Sequence, residues 1–230
     1  NTMFRGKKYK KVAAAYDRTQ MYGLADALQI LKKSEVKFDQ TVEIHFNLGV
    51  DPKHSDQVVR GTVVLPHGTG RQVRVLVFCK DNNLEAAKNA GADYAGGDDL
   101  VQKIQSGWLE FDAVVATPDM MPVISKVAKV LGPRGLMPSP KAGTVTVNVA
   151  QTVKELKAGK IQYRVDKGAN VHAPVGKLSF SDEQLVENIK AVIESVVKAK
   201  PQTSKGTYIK SLSLAATMTP GIKLDLGLTR

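Results

Sequence analysis

The stretch Ala113–Val145 reads AVVATPDMMPVISKVAKVLGPRGLMPSPKAGTV, and its succession of apolar run, helical stripe and proline-punctuated loop decides the architecture of the middle of the chain. Ala113-Val114-Val115-Ala116 is a short apolar run ended by Thr117-Pro118-Asp119, the pattern of a buried strand. Val123, Val127, Val130 and Leu131 then recur at helical spacing, with Lys126 and Lys129 off the stripe, and Gly132-Pro133 stops the helix. From Arg134 to Gly143 the chain is neither helix nor central strand, because its prolines lack a donor and its glycines cost order.

The same grammar extends upstream. Val73–Cys79 is a nearly continuous apolar strand, Leu84–Ala90 a short helix, Ala92–Ala95 a strand and Asp98–Gln105 another helix, while Val145–Val149 is expected to add a last strand. Strands without alternation, separated by helices, call for a parallel sheet covered on both faces. Residues 68–159 are therefore expected to form a Rossmann-like, three-layer α/β domain.

The flanks follow a different rule. Leu24, Leu28 and Leu31 mark one helical face, and Val42, Ile44, Phe46 and Leu48 alternate strictly with Thr41, Glu43, His45 and Asn47, which describes a strand with one buried and one polar face. Val59, Gly61, Val63 and Leu65 predict a second strand, running up to a junction at Pro66–Gly70. After Gly159 alternation returns, with Ile161, Tyr163 and Val165 against Lys160, Gln162 and Arg164. Ser181 and Gln184 have the spacing of a capping box before the stripe Leu185, Ile189, Val192, Ile193 and Val196, and Tyr208, Leu212 and Leu214 alternate with Ser211 and Ser213 in a final strand. The fold class is thus α/β (α+β) in two domains: an α+β antiparallel-sheet outer domain, residues 1–67 plus 160–230, interrupted by the inserted one.

The charge is distributed along the same division. The chain of 230 residues carries a net +11, yet residues 68–159 hold 11 basic and 9 acidic side chains, leaving 22 basic and 13 acidic, a net +9, on the flanks. A polyanion is the natural partner of such flanks. The single cysteine, Cys79, lies in an apolar run and reads as a core residue. No apolar run reaches the roughly 18 residues of a membrane span, and no signal-peptide core follows Asn1.

The candidate binding surface is the polar side of the outer sheet, where Thr41, Glu43, Gln162, Arg164, Ser211, Ser213 and Thr217 fall at alternate positions, close in sequence to Lys37, Phe38, Asp166, Lys167 and Met218. Short hydroxyls suit the shallow minor groove of an RNA helix, lysine and arginine neutralise phosphates, and Phe38 or Met218 offers an apolar face to a ribose or base. Alternation alone says only that the strand is half-buried.

The order of motifs carries the reading further. The passage from Ala113, together with Lys37–Glu43, Ser55–Thr62, Gly91-Ala92-Asp93, His172–Lys177 and Thr217-Met218, closely resembles the L-one family of large-subunit ribosomal proteins, bacterial or organellar type, over essentially the full chain. That resemblance implies ribosomal RNA (rRNA) contacts at Lys37, Phe38, Thr41, Glu43, Asp166, Lys167, Ser211, Thr217 and Met218, and Arg164 joins these candidates from its place in the polar alternation; the carboxylates of Glu43 and Asp166, able to accept from 2′-hydroxyls, are candidates for specificity. The resemblance also implies a place at the mobile stalk beside the tRNA exit site, help in releasing deacylated exit-site tRNA, and repression of the protein's own mRNA. The implied state is a monomer within a cytoplasmic or organellar ribosome, with no membrane, metal or cofactor. Lys7 and Lys8, in a basic cluster around Tyr9, and Arg134 and Lys141 on outer loops of the insertion are candidate secondary RNA or tRNA contacts. One departure stands out: the family commonly has Gly-Pro after Thr-Met, whereas this chain has Thr219-Pro220-Gly221.

A nucleotide-binding enzyme is the competing class for a Rossmann-like domain. His67–Gln72 precedes its strand instead of following it, and no glycine-rich phosphate loop separates a strand from a helix. His45, His54, His67 and His172 lack metal-binding spacing, and Asp98-Asp99 read as acidic residues opening a helix. The residues thus argue against catalysis.

Overall fold

A computed structural model describes residues 6–34 and 36–229, and for Asp81, Asn82, Lys141 and Thr229 the backbone alone. The chain packs into two compact units, one comprising residues up to Gly70 together with those from Ile161, the other Arg71–Lys160. It enters the first through α1 (Lys7–Ala14), α2 (Leu24–Lys32), β1 (Thr41–Leu48) and β2 (Arg60–Val64). The second runs β3 (Val75–Phe78), α3 (Asp81–Asn89), β4 (Tyr94–Gly96), α4 (Asp98–Gln105), β5 (Ala113–Ala116), α5 (Met121–Ile124), α6 (Ala128–Leu131) and α7 (Val149–Ala158). The chain returns through β6 (Lys160–Arg164), β7 (Asn170–Lys177), α8 (Asp182–Lys198), β8 (Ile209–Ala216) and β9 (Ile222–Lys223).

The inserted unit is a parallel sheet of order β4-β3-β5 whose strand β3 is buried at every residue. One face carries Leu76, Phe78 and Val114 against Leu100, Ile104, Ile124 and Leu131; the other carries Val75, Val77 and Val115 against Ala87, Val149, Val153 and Leu156. Three layers result, as continuous apolar strands require. Two expectations are corrected here. The valines at 145, 147 and 149 alternate like a strand, but only Val145 pairs, in a single bridge to Ala116, and Val147 is 77% exposed. Asn148 accepts from the Gln151 N–H and caps α7, whose apolar stripe begins at Val149, so helix capping overrides the short alternation. The helix expected over 123–131 is broken into α5 and α6 by a tighter turn at Ser125–Val127, and the fully buried stripe is Ile124, Val127 and Leu131.

The outer unit rests on a four-stranded antiparallel sheet of order β7-β1-β8-β9, with β2 and β6 paired in a separate two-stranded sheet. Val42, Ile44, Phe46 and Leu48 of β1, Val171, Ala173 and Val175 of β7, and Leu212 and Leu214 of β8 are buried in one core with Leu28 and Leu31 of α2 and Leu185, Ile189, Val192 and Val196 of α8. Ser181 and Gln184 close the capping box of α8 in both directions, which fixes where that helix begins. All apolar alternation in the sheet thus points to one side. The other side is left polar.

Candidate nucleic-acid interface

The polar side is ordered in rows set by strand register. Asn170, Asn47 and Ser211 stand opposite one another on β7, β1 and β8; next come His172, His45 and Ser213, with Lys223 of β9 beyond; then Pro174, Glu43 and Ala215; and Lys177 pairs with Thr41 at the end where β8 runs into Thr217. Asn47 donates to the Asn170 carbonyl oxygen of its side chain at 2.8 Å, and the Lys177 Nζ donates to Thr41 Oγ1 at 2.9 Å, so many of these side chains are held by their cross-strand neighbours. A strand spans about 3.3 Å per residue, so from Thr41 to Asn47 the face is on the order of 20 Å long.

At the Thr41 end the chain exposes two apolar groups. Phe38, 47% exposed, precedes β1 and sits beside Asp39, whose carboxylate accepts from the Ser179 N–H and hydroxyl and so ties this segment to the start of α8. Met218, 73% exposed, follows β8 with φ of 69°. An L-residue in the left-handed region is costly, and here it presents an apolar side chain to solvent. Gln40 Nε2 donates to the Thr217 carbonyl, and the Thr217 N–H donates to the Thr41 carbonyl at 3.0 Å, which fixes the chain just ahead of Met218.

At the opposite end Asp166 organises the turn between β6 and β7. Its Oδ1 accepts from the N–H of Gly168 at 2.8 Å and of Asn170 at 2.7 Å, while the Ala169 carbonyl accepts from the Leu48 N–H. The bond from Asn170 leads in holding the Asp166 carboxyl below the usual carboxylate range. Its Oδ2 lies 3.5 Å from His172 Nε2.

The structure therefore brings Thr41, Glu43, Ser211 and Thr217 onto one face, with Lys37, Phe38 and Met218 at one end and Asp166 and Lys167 at the other. It does not bring Arg164 there. Gln162 and Arg164 point outward from β6, which pairs with β2 and not with β1; alternation told which face of β6 was polar, but not which sheet it joined. Lys7 and Lys8 are exposed on α1, and that segment is tied to the β9 edge by a bond from Tyr16 Oη to the Gly221 carbonyl and one from the Tyr22 N–H to the Lys223 carbonyl. Arg134 is exposed on the turn after α6, and the Lys141 side chain lies outside the described residues. Asn47, Asn170, His172, Lys177 and Lys223 belong to the face without having been singled out for it. Among the described residues no group of His, Cys, Asp and Glu is placed to hold a metal ion, and no helix is long and apolar enough to cross a membrane.

The profile of the ribosomal protein L1p/L10e family matches residues 30–220, a span that contains β7, β1 and β8 of this face and stops just short of Lys223 on β9. The large ribosomal subunit protein uL1 of Chlorobium phaeobacteroides is 56% identical over 220 residues, 95% of this chain and 96% of its own length. The chain belongs to the ribosomal protein L1p/L10e family. It is a structural ribosomal protein and not an enzyme. The departure at Thr219 finds its account in the L1p/L10e fold itself: the Thr219 hydroxyl accepts from the Ala216 N–H and donates to the Ala216 carbonyl, both at 2.9 Å, closing the turn after β8. The left-handed position is Met218, so residue 219 needs no glycine, and its side chain folds back on β8.

Proposed function

We propose that the chain is a constituent of the large subunit of the cytoplasmic ribosome and binds large-subunit rRNA through the polar face of its four-stranded sheet. The observation that carries this is the face itself: threonine and serine hydroxyls, asparagine amides and a histidine pair stand in register on three strands, with lysines at Lys37, Lys177 and Lys223 around them. Short donors and acceptors reach into a wide, shallow RNA minor groove, where the 2′-hydroxyls lie, and the lysines meet phosphates. Phe38 and Met218 pack against ribose or base at one end, and Glu43 and Asp166 discriminate by accepting from hydroxyls.

For the finer role the support is the resemblance of the sequence motifs to the family. The chain sits at the mobile stalk next to the tRNA exit site, assists release of deacylated tRNA through loops of the inserted unit such as that holding Arg134, and represses translation of its own mRNA when the message mimics the rRNA site. Each is recognition without chemistry. The deciding experiment measures affinity for a stalk-region rRNA fragment and for an unrelated RNA duplex at two salt concentrations. Preference for the fragment at both salts supports the reading; equal binding to both, erased by salt, reduces it to phosphate attraction.

A further inference from the structure

His45 and His172 stand directly opposite on β1 and β7, their rings 5.0 Å apart at 65° and their Nδ1 atoms separated by 2.8 Å. At that separation one Nδ1 carries the proton and the other a lone pair. Asp166 decides which. Its carboxylate, held ionised by the main-chain donors of Gly168 and Asn170, lies 3.5 Å from His172 Nε2 and favours a proton there. A neutral His172 protonated on Nε2 has a bare Nδ1, so His45 donates through its own Nδ1, and the lone pair of His45 falls on Nε2.

Building on the rRNA-binding reading, we propose that His45 Nε2 is a hydrogen-bond acceptor of the sheet face, set by the relay Asp166–His172–His45, and that it takes a donor from the RNA, a ribose 2′-hydroxyl or a base amino group. Phosphate oxygens have no proton to give and gain nothing from it; the 2′-hydroxyl is the donor that separates RNA from DNA. The neutral state of His45 is supported by its own surroundings. Burial, then the neighbouring His172, push the His45 pKa below the ordinary histidine value, with Glu43 pulling the other way. The charged groups of this face around the pair are Glu43 on β1, Asp166 on the turn before β7, Lys177 on β7 and Lys223 on β9.

The test is nitrogen-detected NMR of the imidazole rings in the full chain at pH 7.5, free and with a stalk-region rRNA fragment, where protonated and bare ring nitrogens have separate shifts. The expected result is His45 bare at Nε2, His172 protonated at Nε2, and a shift of the His45 Nε2 signal on RNA binding. The second arm compares wild type with His45→Phe on the fragment and on copies carrying single 2′-deoxy or inosine-for-guanosine replacements. His45→Phe is expected to lose about tenfold in affinity, roughly 1.4 kcal/mol. One replacement should cost wild type the same and cost the variant nothing more, and its type names the hydroxyl or the amino group as donor. Protonation of His45 at Nε2 in the free protein overturns the inference, as does tight RNA binding that leaves that signal unmoved. A fragment that fails to bind at all overturns the rRNA-binding reading as well.

Discussion

Thr217 and Thr41 are stitched together by three contacts: the Thr217 N–H donates to the Thr41 carbonyl at 3.0 Å, the Thr41 N–H donates to the Thr217 hydroxyl at 3.3 Å, and that hydroxyl in turn lies 3.3 Å from the Thr41 carbonyl. The hydroxyl therefore serves the sheet end as well as any RNA laid across it. Thr217→Val is expected to lower stability by about 0.5–1 kcal/mol, the net worth of a partly exposed hydrogen bond, and to weaken rRNA binding too. Thr217→Ser should restore both in urea denaturation and in filter binding. A valine variant with native stability and native affinity would show that the hydroxyl does neither job.

Met218 gives the opposite sign. Its φ of 69° places an L-residue where glycine is at ease, and 73% of its surface is exposed. Left-handed geometry costs an L-residue roughly 1–2 kcal/mol, partly offset by the greater chain entropy of glycine in the unfolded state. Met218→Gly is therefore expected to stabilise the protein slightly while reducing rRNA affinity by on the order of 1 kcal/mol, as loss of an exposed apolar anchor does. A stability gain with unchanged affinity would take Met218 out of the interface and leave its strain unexplained.

What the sequence disclosed and what it withheld divide along physical lines. The two-faced character of β1 is written in its strict alternation, and the covered strands of the inserted unit in their lack of it, because burial on one face or two leaves different periods. Strand partners are not written that way. Arg164 alternates like Thr41, yet pairing β6 with β2 is a tertiary choice that local pattern does not encode. β7 is not legible as a strand because Pro174 and Gly176 interrupt its run, although His172 faces His45 within it. The relay through Asp166 needed the register of β7 and the turn before it, neither of which composition supplies.

Acid should weaken the inserted unit through its carboxylate contacts with arginine and lysine. Burial opposes charge on Asp112, but the main-chain and side-chain donors of Arg74 and the charge of Arg71 hold its carboxyl below the ordinary value of 3.8. Burial likewise opposes Asp93, which the Val75 N–H and Lys157 hold low, and Lys160 leads in lowering Glu155. Folded carboxyls that release protons more readily than unfolded ones add stability above the ordinary carboxylate range, and that stability is lost as pH falls through it. Trp108, the single tryptophan, packs between Tyr94 and Phe111 and reports on this unit. Its fluorescence-detected urea midpoint should hold level from pH 7 to about 5 and fall below that, less steeply in Asp112→Asn, which starts lower. A midpoint level down to pH 3 would leave these contacts without a share in stability.

The outer unit is expected to fold and bind without the insertion, and Asn188 is the reason. Fully buried on α8, its Nδ2 donates to the carbonyls of Val175 at 2.7 Å and Gly68 at 3.0 Å, and its Oδ1 accepts from the His67 N–H at 3.1 Å. The departing chain is thus anchored within the outer unit as far as Gly68. β2, just before that point, and β6, where the chain comes back, are neighbouring strands, so a short glycine linker from Gly70 to Ile161 closes the gap. The shortened chain should unfold cooperatively and keep its affinity for the rRNA fragment. Asn188→Leu within it strands buried main-chain groups at about 1–3 kcal/mol each and should lower its urea midpoint sharply. A shortened chain that folds but no longer binds would move essential RNA contacts into the insertion, and the proposal that the sheet face suffices would fall.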